Sequence, residues 1–330
     1  MSEILPEMDD PATSTPVVSV IIPCYQAAGH IRESLESALA QSFGNFEVIV
    51  INDGSPDTEA LEQALEPYQP RITYLKQSNG GPSAARNLGI RHARGRFLAF
   101  LDSDDIWMSE YLAVQMKLVE AEPSLDVVFC DAAYFGDPGF EDKTFMQVCP
   151  STGPVSFESL LVETTQLATS GTIAQRSRVL EAGWFDENFR CAEDHDLWLR
   201  MAFQGCRFTY QRKVLLRRRI HSESQGATAG SLVAGEIEVL KKLDQQLALD
   251  AASRKLLRSR LRSQEARLDL IRGKQSLLAG DFQNAVERLR KSHSIAPSIK
   301  VRLTLLGLGI APQLMARSLR AWQSWLGRKG

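Results

Sequence analysis

Leu98-Ala99-Phe100-Leu101-Asp102-Ser103-Asp104-Asp105 sets a short apolar run against three carboxylates within four consecutive positions. An apolar run bounded by polar residues reads as a buried strand, and acids at its carboxyl end project into the crevice where open α/β sheets bind ligands. Crowded like charges need a positive counterpart. A hard divalent cation suits them, because Mg²⁺ or Mn²⁺ takes one or two carboxylates and fills its remaining positions with water and phosphate oxygens. A helix opening at Asp105-Ile106-Trp107, with acids complementing its first turn, accounts for the same residues without any ligand.

The preceding sequence favours the crevice. Val17 to Pro23 is a β-branched strand ended by proline, and Glu33 to Ala40 then reads as a helix. Phe46 to Asp53 is a second strand running into a turn, Glu59 to Leu65 a second helix, and Ile72 to Leu75 a short third strand. Strands alternating with helices predict an α/β fold with a parallel sheet and right-handed crossovers. Pro23-Cys24-Tyr25, Asp53 and Asp102-Ser103-Asp104 then fall at strand ends on one edge of that sheet. Three such ends meeting at one crevice read as a nucleotide site.

Five segments taken in order carry a resemblance: Val18 to Tyr25, Ile51-Asn52-Asp53-Gly54-Ser55, Asn79 to Asn87, Leu101 to Asp105, and Glu193-Asp194-His195-Asp196-Leu197-Trp198. Each is weak alone, but their order and spacing resemble the inverting family-2 glycosyltransferases with a GT-A fold, over about Val17 to Ser224. Cys24 and Gln26 depart from the commonest family residues at variable positions. The resemblance implies a Rossmann-like, mostly parallel sheet flanked by helices. It also implies a hexosyltransferase-type enzyme of polysaccharide biosynthesis that moves a sugar from a nucleotide diphosphate sugar to an acceptor hydroxyl.

Carried over residue by residue, the resemblance assigns Pro23, Tyr25 and Asp53 to the base and ribose of the donor. A carboxylate accepts from a base N–H, and a tyrosine ring offers a face for stacking. Arg86 matches an arginine near the diphosphate, where its fork suits phosphate or carboxylate; an ion pair with Asp102 or Asp104 is compatible with that role. Asp104 matches the principal ligand of Mg²⁺ or Mn²⁺. Asp102 matches a residue that contacts ribose or the metal, with Ser103 beside it, and Asp105 reads as a cap or a solvent-facing acid. Such a metal stabilises negative charge growing on the leaving nucleoside diphosphate.

Inverting transfer needs a base for the acceptor proton. Leu197, Trp198 and Met201 recur at helical spacing, which puts Glu193, Asp194 and Asp196 at a helix N-terminus. By resemblance Asp194 is the catalytic base, while Glu193 and Asp196 read mainly as complements to the helix dipole. Trp184, in the turn before this helix, is a candidate platform for an acceptor sugar, core packing being the alternative, with Glu193 a second acceptor-site candidate. His221, in a closing segment from Arg217 to Ser224, is a candidate ligand for the metal or a phosphate.

Outside these segments the chain suggests an appendage. Residues 251–330 hold 17 Lys and Arg against 4 Asp and Glu, a net +13, so a whole-chain charge of −2 leaves −15 for residues 1–250. The expected organisation is a disordered lead-in over 1–16, a GT-A domain over 17–229 and a basic α-helical region over 230–330. Gly273 to Val286 resembles one tetratricopeptide-like hairpin, too few repeats for a solenoid. The last stretch, Pro312 to Gly330, mixes Trp322, Trp325 and leucines with four arginines and lysines, as an amphipathic helix on an anionic membrane surface does; packing on protein is the alternative.

Five cysteines without C-x-x-C spacing argue against a disulfide framework or zinc site and for a reducing compartment. With no signal peptide or spanning segment, the expected location is cytoplasmic, peripheral on the inner face of a membrane if the tail binds lipid. The expected partners are a nucleotide diphosphate sugar and a saccharide, lipid-linked or protein acceptor, and no nucleic acid. The rival readings are a nucleotidyltransferase that makes such donors and a non-catalytic scaffold of the same fold. A glycine-rich basic triphosphate loop would mark the first and loss of the acids the second; neither mark is present.

Overall fold

The computed structural model describes residues 15–136, 139, 143–220 and 229–317. Most of the expected lead-in, His221, and residues 318–330 of the expected tail lie outside them.

The first half alternates as expected: β1 (Val18–Cys24), α1 (Ile31–Leu39), β2 (Phe46–Asp53), α2 (Thr58–Leu65), β3 (Thr73–Gln77), α3 (Pro82–His92) and β4 (Phe97–Phe100). Then follow β5 (Ile106–Trp107), α4 (Tyr111–Ala121), β6 (Val127–Phe135), α5 (Phe145–Val148), α6 (Phe157–Leu161), β7 (Thr172–Gln175), α7 (Arg176–Glu181), α8 (Glu193–Phe203) and β8 (Phe208–Arg219). The chain continues as α9 (Ala229–Gln246), α10 (Ala251–Ala279), α11 (Phe282–Ile295) and α12 (Ile299–Ile310).

The sheet order is β3-β2-β1-β4-β7-β6-β8-β5. β1 lies parallel between β2 and β4, with Val18 opposite both Phe46 and Phe97, so their carboxyl ends open on one edge. Beyond β4 the sheet is mixed, since β7 runs antiparallel to both β4 and β6, and β5 antiparallel to β8.

Alternation along β1 and β2 sends Val20, Ile22, Val48 and Val50 to one face, against Ile31, Leu35, Leu61 and Met116 of the helices there. Ile21, Ile49 and Ile51 face the other side, where α3, α8 and α9 contribute Ile90, Trp198, Val239 and Leu243. Central strands covered on both faces carry near-continuous apolar runs, as Val20–Ile22 of β1 and Val48–Ile51 of β2 do.

The helix considered at Asp105-Ile106-Trp107 does not form. Ile106 and Trp107 pair instead with Arg217 and Leu216 of β8. The Trp107 indole is buried, stacks on Tyr111 with centroids 4.1 Å apart, and donates to the Ser170 carbonyl at 2.6 Å. This pairing overrides the local helix signal and turns Asp105 inward. Asp105 is buried, not capping or solvent-facing.

Leu257, near the start of α10, packs with the sheet's second core, whereas Leu277 near its end joins Ala285, Leu289, Val301 and Leu308 in a separate small cluster. The hairpin closes at Gly280, which takes a left-handed φ of 84° that a side chain would resist. Asp281 then caps α11 by accepting from the Asn284 N–H at 3.1 Å.

Candidate functional site

A cavity of about 300 Å³ opens over the carboxyl ends of β1, β2 and β4 and beside the start of α8. It brings together Pro23, Tyr25, Asp53, Arg86, Asp102, Ser103, Asp104, Glu193 and Asp194. Segments far apart in sequence therefore share one wall, because parallel strands put their polar ends at the same edge.

The rim at β1 and β2 is held by side-chain bonds to backbone. The Ser55 hydroxyl accepts from the Gln26 N–H at 2.6 Å, and Asp57 accepts from the Ala28 N–H at 2.9 Å. Tyr25 stays exposed on this rim. The buried Asp53 carboxylate accepts from Gln77 at 2.7 Å and from the N–H groups of Gly80 and Gly81, each at 2.8 Å. Gly81 has φ +88°, a left-handed backbone that favours glycine.

Arg86 is the electrostatic centre. From α3 its guanidinium donates to Asp102 Oδ1 at 2.8 Å and to Glu193 Oε1 at 2.7 Å, and it lies 5.3 Å from the Phe185 ring centroid. Burial opposes its charge, but Asp102, Glu193 and Asp194 outweigh this and hold the guanidinium firmly protonated. For Asp102, desolvation pushes the carboxyl up, and Arg86, helped by Arg218 and Ser170, holds it below the usual carboxylate range. Glu193 is less well served. Burial and the neighbouring Asp194 raise it despite Arg86, because one guanidinium is shared among several acids.

Asp194 sits in the first turn of α8, half-buried and facing the crevice. Thr169 donates its hydroxyl to Asp194 Oδ2 at 2.8 Å, and the His195 N–H donates to Oδ1 at 2.8 Å. At Asp102 the bond is to the main chain, whose backbone N–H donates to the Ser170 hydroxyl at 3.0 Å. Thr169 and Ser170 belong to a single 3₁₀ turn just before β7.

Asp104 is half-buried within the acidic run. Arg219 fixes the surrounding chain, donating from Nε to the Asp104 carbonyl at 3.0 Å and from its backbone N–H to Asp105 at 2.9 Å. Burial and the charges of Asp104 and Asp102 push Asp105 up to about 8. Arg218, also lining the crevice, is held above its usual value; burial opposes its charge, but Asp105, Tyr134, Asp102 and Asp194 favour it.

Among the described residues no three or more His, Cys, Asp and Glu gather into a metal cage. Asp102 and Asp104, both reaching the crevice from one strand end, nonetheless fit an ion that needs only one or two protein carboxylates and completes its shell with phosphate and water.

Three residues stand differently from expectation. Trp184 is not in this crevice but on a separate open cleft with Arg91 and Lys242, where the Arg91 guanidinium stands 5.9 Å from its ring centroid. Asp196 is fully buried and does more than complement a dipole: it accepts from Arg200 at 2.8 Å and from Lys242 at 2.8 Å, and Lys242 also pairs with Asp186 at 2.7 Å. Glu193 likewise forms a buried ion pair, and is not simply a dipole partner.

An open α/β sheet with acids and arginines at its carboxyl edge is an architecture that binds ligands in the crevice there, and comparison with known proteins narrows the class. The sequence profile of Glycosyl transferase family 2 matches residues 19–178. An uncharacterized glycosyltransferase of Rickettsia prowazekii is 33% identical over 222 residues, covering 65% of this chain and 67% of its own. The chain belongs to glycosyltransferase family 2. It spans only about a third of some other relatives, such as 32% of an uncharacterized glycosyltransferase from Rickettsia bellii that is 29% identical. In fold it is similar to Staphylococcus aureus TarS 1–349 solved with UDP-GlcNAc (TM-score 0.64, 18% identity, 93% of this chain and 91% of that one). It is also similar to the Pyrobaculum calidifontis mannosyltransferase PcManGT solved with GDP-Man and Mn²⁺ (TM-score 0.59, 22% identity, 96% and 85%).

Proposed function

We propose that this glycosyltransferase moves a sugar from a nucleoside diphosphate donor to an acceptor hydroxyl with inversion, using Mg²⁺ or Mn²⁺ at Asp104 and Asp102. Fold relatives solved with UDP-GlcNAc or with GDP-Man and Mn²⁺ support the donor class and the metal. Tyr25 offers its ring to the base. Asp53, with three of roughly four acceptor positions already used, keeps one for a base N–H. When bound, the metal neutralises the diphosphate and so improves the leaving group.

The acceptor oxygen attacks the anomeric carbon while the bond to the diphosphate oxygen breaks, the bonding pair staying on that oxygen and the acceptor proton passing to Asp194. Thr169 and the His195 N–H hold the Asp194 carboxylate in one orientation. Arg86 acts at one remove, holding Asp102 and Glu193 in place, while Arg218 supplies positive charge to the crevice. The observation that carries the reading is the division of labour between adjacent acids: Glu193 is bonded to Arg86, and Asp194 has no ion pair with it and faces the crevice.

Thermal unfolding with UDP-, GDP- and dTDP-sugars, with and without Mn²⁺, tests the donor and the metal. One class should raise the midpoint only with metal, by an amount that grows with ligand concentration. No shift with any donor, or a product that keeps the donor's anomeric configuration, overturns the proposal.

A further inference from the structure

Among the described residues, the largest departure from ordinary burial outside the crevice is a row on α12 and the turn after it. Ile299, Leu303, Leu306, Ile310 and Leu314 are 75, 61, 58, 85 and 63% exposed. At 3.6 residues per turn, the first four fall within a stripe ~60° wide. Val301 and Leu308, on the opposite side of the helix, are buried against the hairpin. The helix is therefore apolar on two sides, and the hairpin covers one. An apolar row of this kind marks an interaction surface.

Charge says what covers it. After Glu287 the chain carries nine Lys and Arg and no Asp or Glu, and Lys300 and Arg302 flank the row, both exposed. A second copy would set this cationic segment against itself. An acidic, apolar-cored surface answers both features, and no helix among the described residues is long and apolar enough to cross a membrane. We infer that the α12 row lies on an anionic lipid bilayer, its apolar residues at the headgroup boundary and Lys300 and Arg302 among the lipid charges. This places the contact on the exposed face of α12, upstream of the residues whose sequence first suggested it.

The test is flotation of the full chain with phosphatidylcholine vesicles and with the same vesicles containing phosphatidylglycerol. The chain should float only with the anionic vesicles, and added salt should release it, since exposed charges are screened within about 8 Å at physiological ionic strength. Leu303→Ser with Ile310→Ser should lower the vesicle partition about tenfold or more. Lys300→Gln and Arg302→Gln should each lower it about fivefold. Unchanged circular dichroism and melting of the variants exclude misfolding as the cause. Failure of the wild type to float, or equal flotation of the Ser variant, overturns the inference; the latter is expected if residues 318–330 cover the row. A concentration-dependent dimer that the Ser variant breaks, without vesicle binding, overturns it in favour of a self-interface.

Discussion

Around Arg86 the protein buries charge, and along α12 it exposes apolar surface. In the crevice a guanidinium 6% exposed on its side chain bridges two carboxylates, with a third acid and the half-buried Arg218 close by. On α12 the large aliphatic side chains are those facing outward. Both are costly in an isolated folded chain, the first through desolvation and the second through exposed hydrocarbon. On the proposals above, each cost is answered by a counterpart of opposite character: a metal and a diphosphate in the crevice, an anionic apolar surface at the helix. The net charge of −2 conceals both.

The largest way to break this contrast is at the metal. Asp104→Ala should abolish Mn²⁺-dependent donor binding measured by calorimetry, because of the two carboxylates proposed to hold the ion only Asp102 would be left. Retained metal-dependent binding would show that the acids balance only the arginines. Asp194→Asn keeps the shape of the side chain and removes its basicity, so transfer should fall about 10² to 10⁴-fold with donor affinity almost unchanged. Turnover at the wild-type rate would remove Asp194 from the chemistry.

Arg86→Met separates the structural cost of buried charge from its use. It leaves Glu193 buried without its cation, a loss of about 3 to 5 kcal/mol read as a lowered urea midpoint. The Glu193 carboxyl, already raised by burial and Asp194, should rise further and take up a proton, which keeps the loss toward the lower figure. A variant as stable as the wild type would mean that the pair contributes little to folding. Thr169→Val removes one hydrogen bond to Asp194 and should lower kcat about tenfold, with the donor dissociation constant unmoved. A change in donor affinity alone would place Thr169 in donor binding.

What the sequence reveals follows how local each feature is. Asp53, Asp102 and Asp104 are legible because an apolar run ending in acids is visible within eight residues. Thr169, Ser170 and Arg218 are not, since ordinary residue types come to bond the crevice acids or line the crevice only once β7 and β8 have joined the sheet. Asp105 misleads for the same reason: a local helix start competes with a strand pairing more than a hundred residues away, and the pairing wins through the buried Trp107. Asp196 looks like a first-turn acid until α9 brings in Lys242. The hairpin of α10 and α11 is legible from Gly280-Asp281, whereas the exposure of α12 depends on which of its two apolar sides that hairpin covers.

The smallest expected effect sharpens the comparison within the helical end itself. Leu289 and Leu303 are the same residue type on neighbouring helices, one 2% and the other 61% exposed. Leu289→Ala opens a hole against Gly273, whose position already admits no Cβ without crowding Leu289, and should cost about 2 to 5 kcal/mol. Leu303→Ser removes a side chain that touches mainly solvent, so its effect on folding should stay within about 0.5 kcal/mol. Paired urea melts of the two variants read this difference directly. If Leu303→Ser destabilises as much as Leu289→Ala, the outer row of α12 is core covered by the chain itself; if it is silent, the row is free for a partner and its apolar character must be explained by what it meets outside the fold.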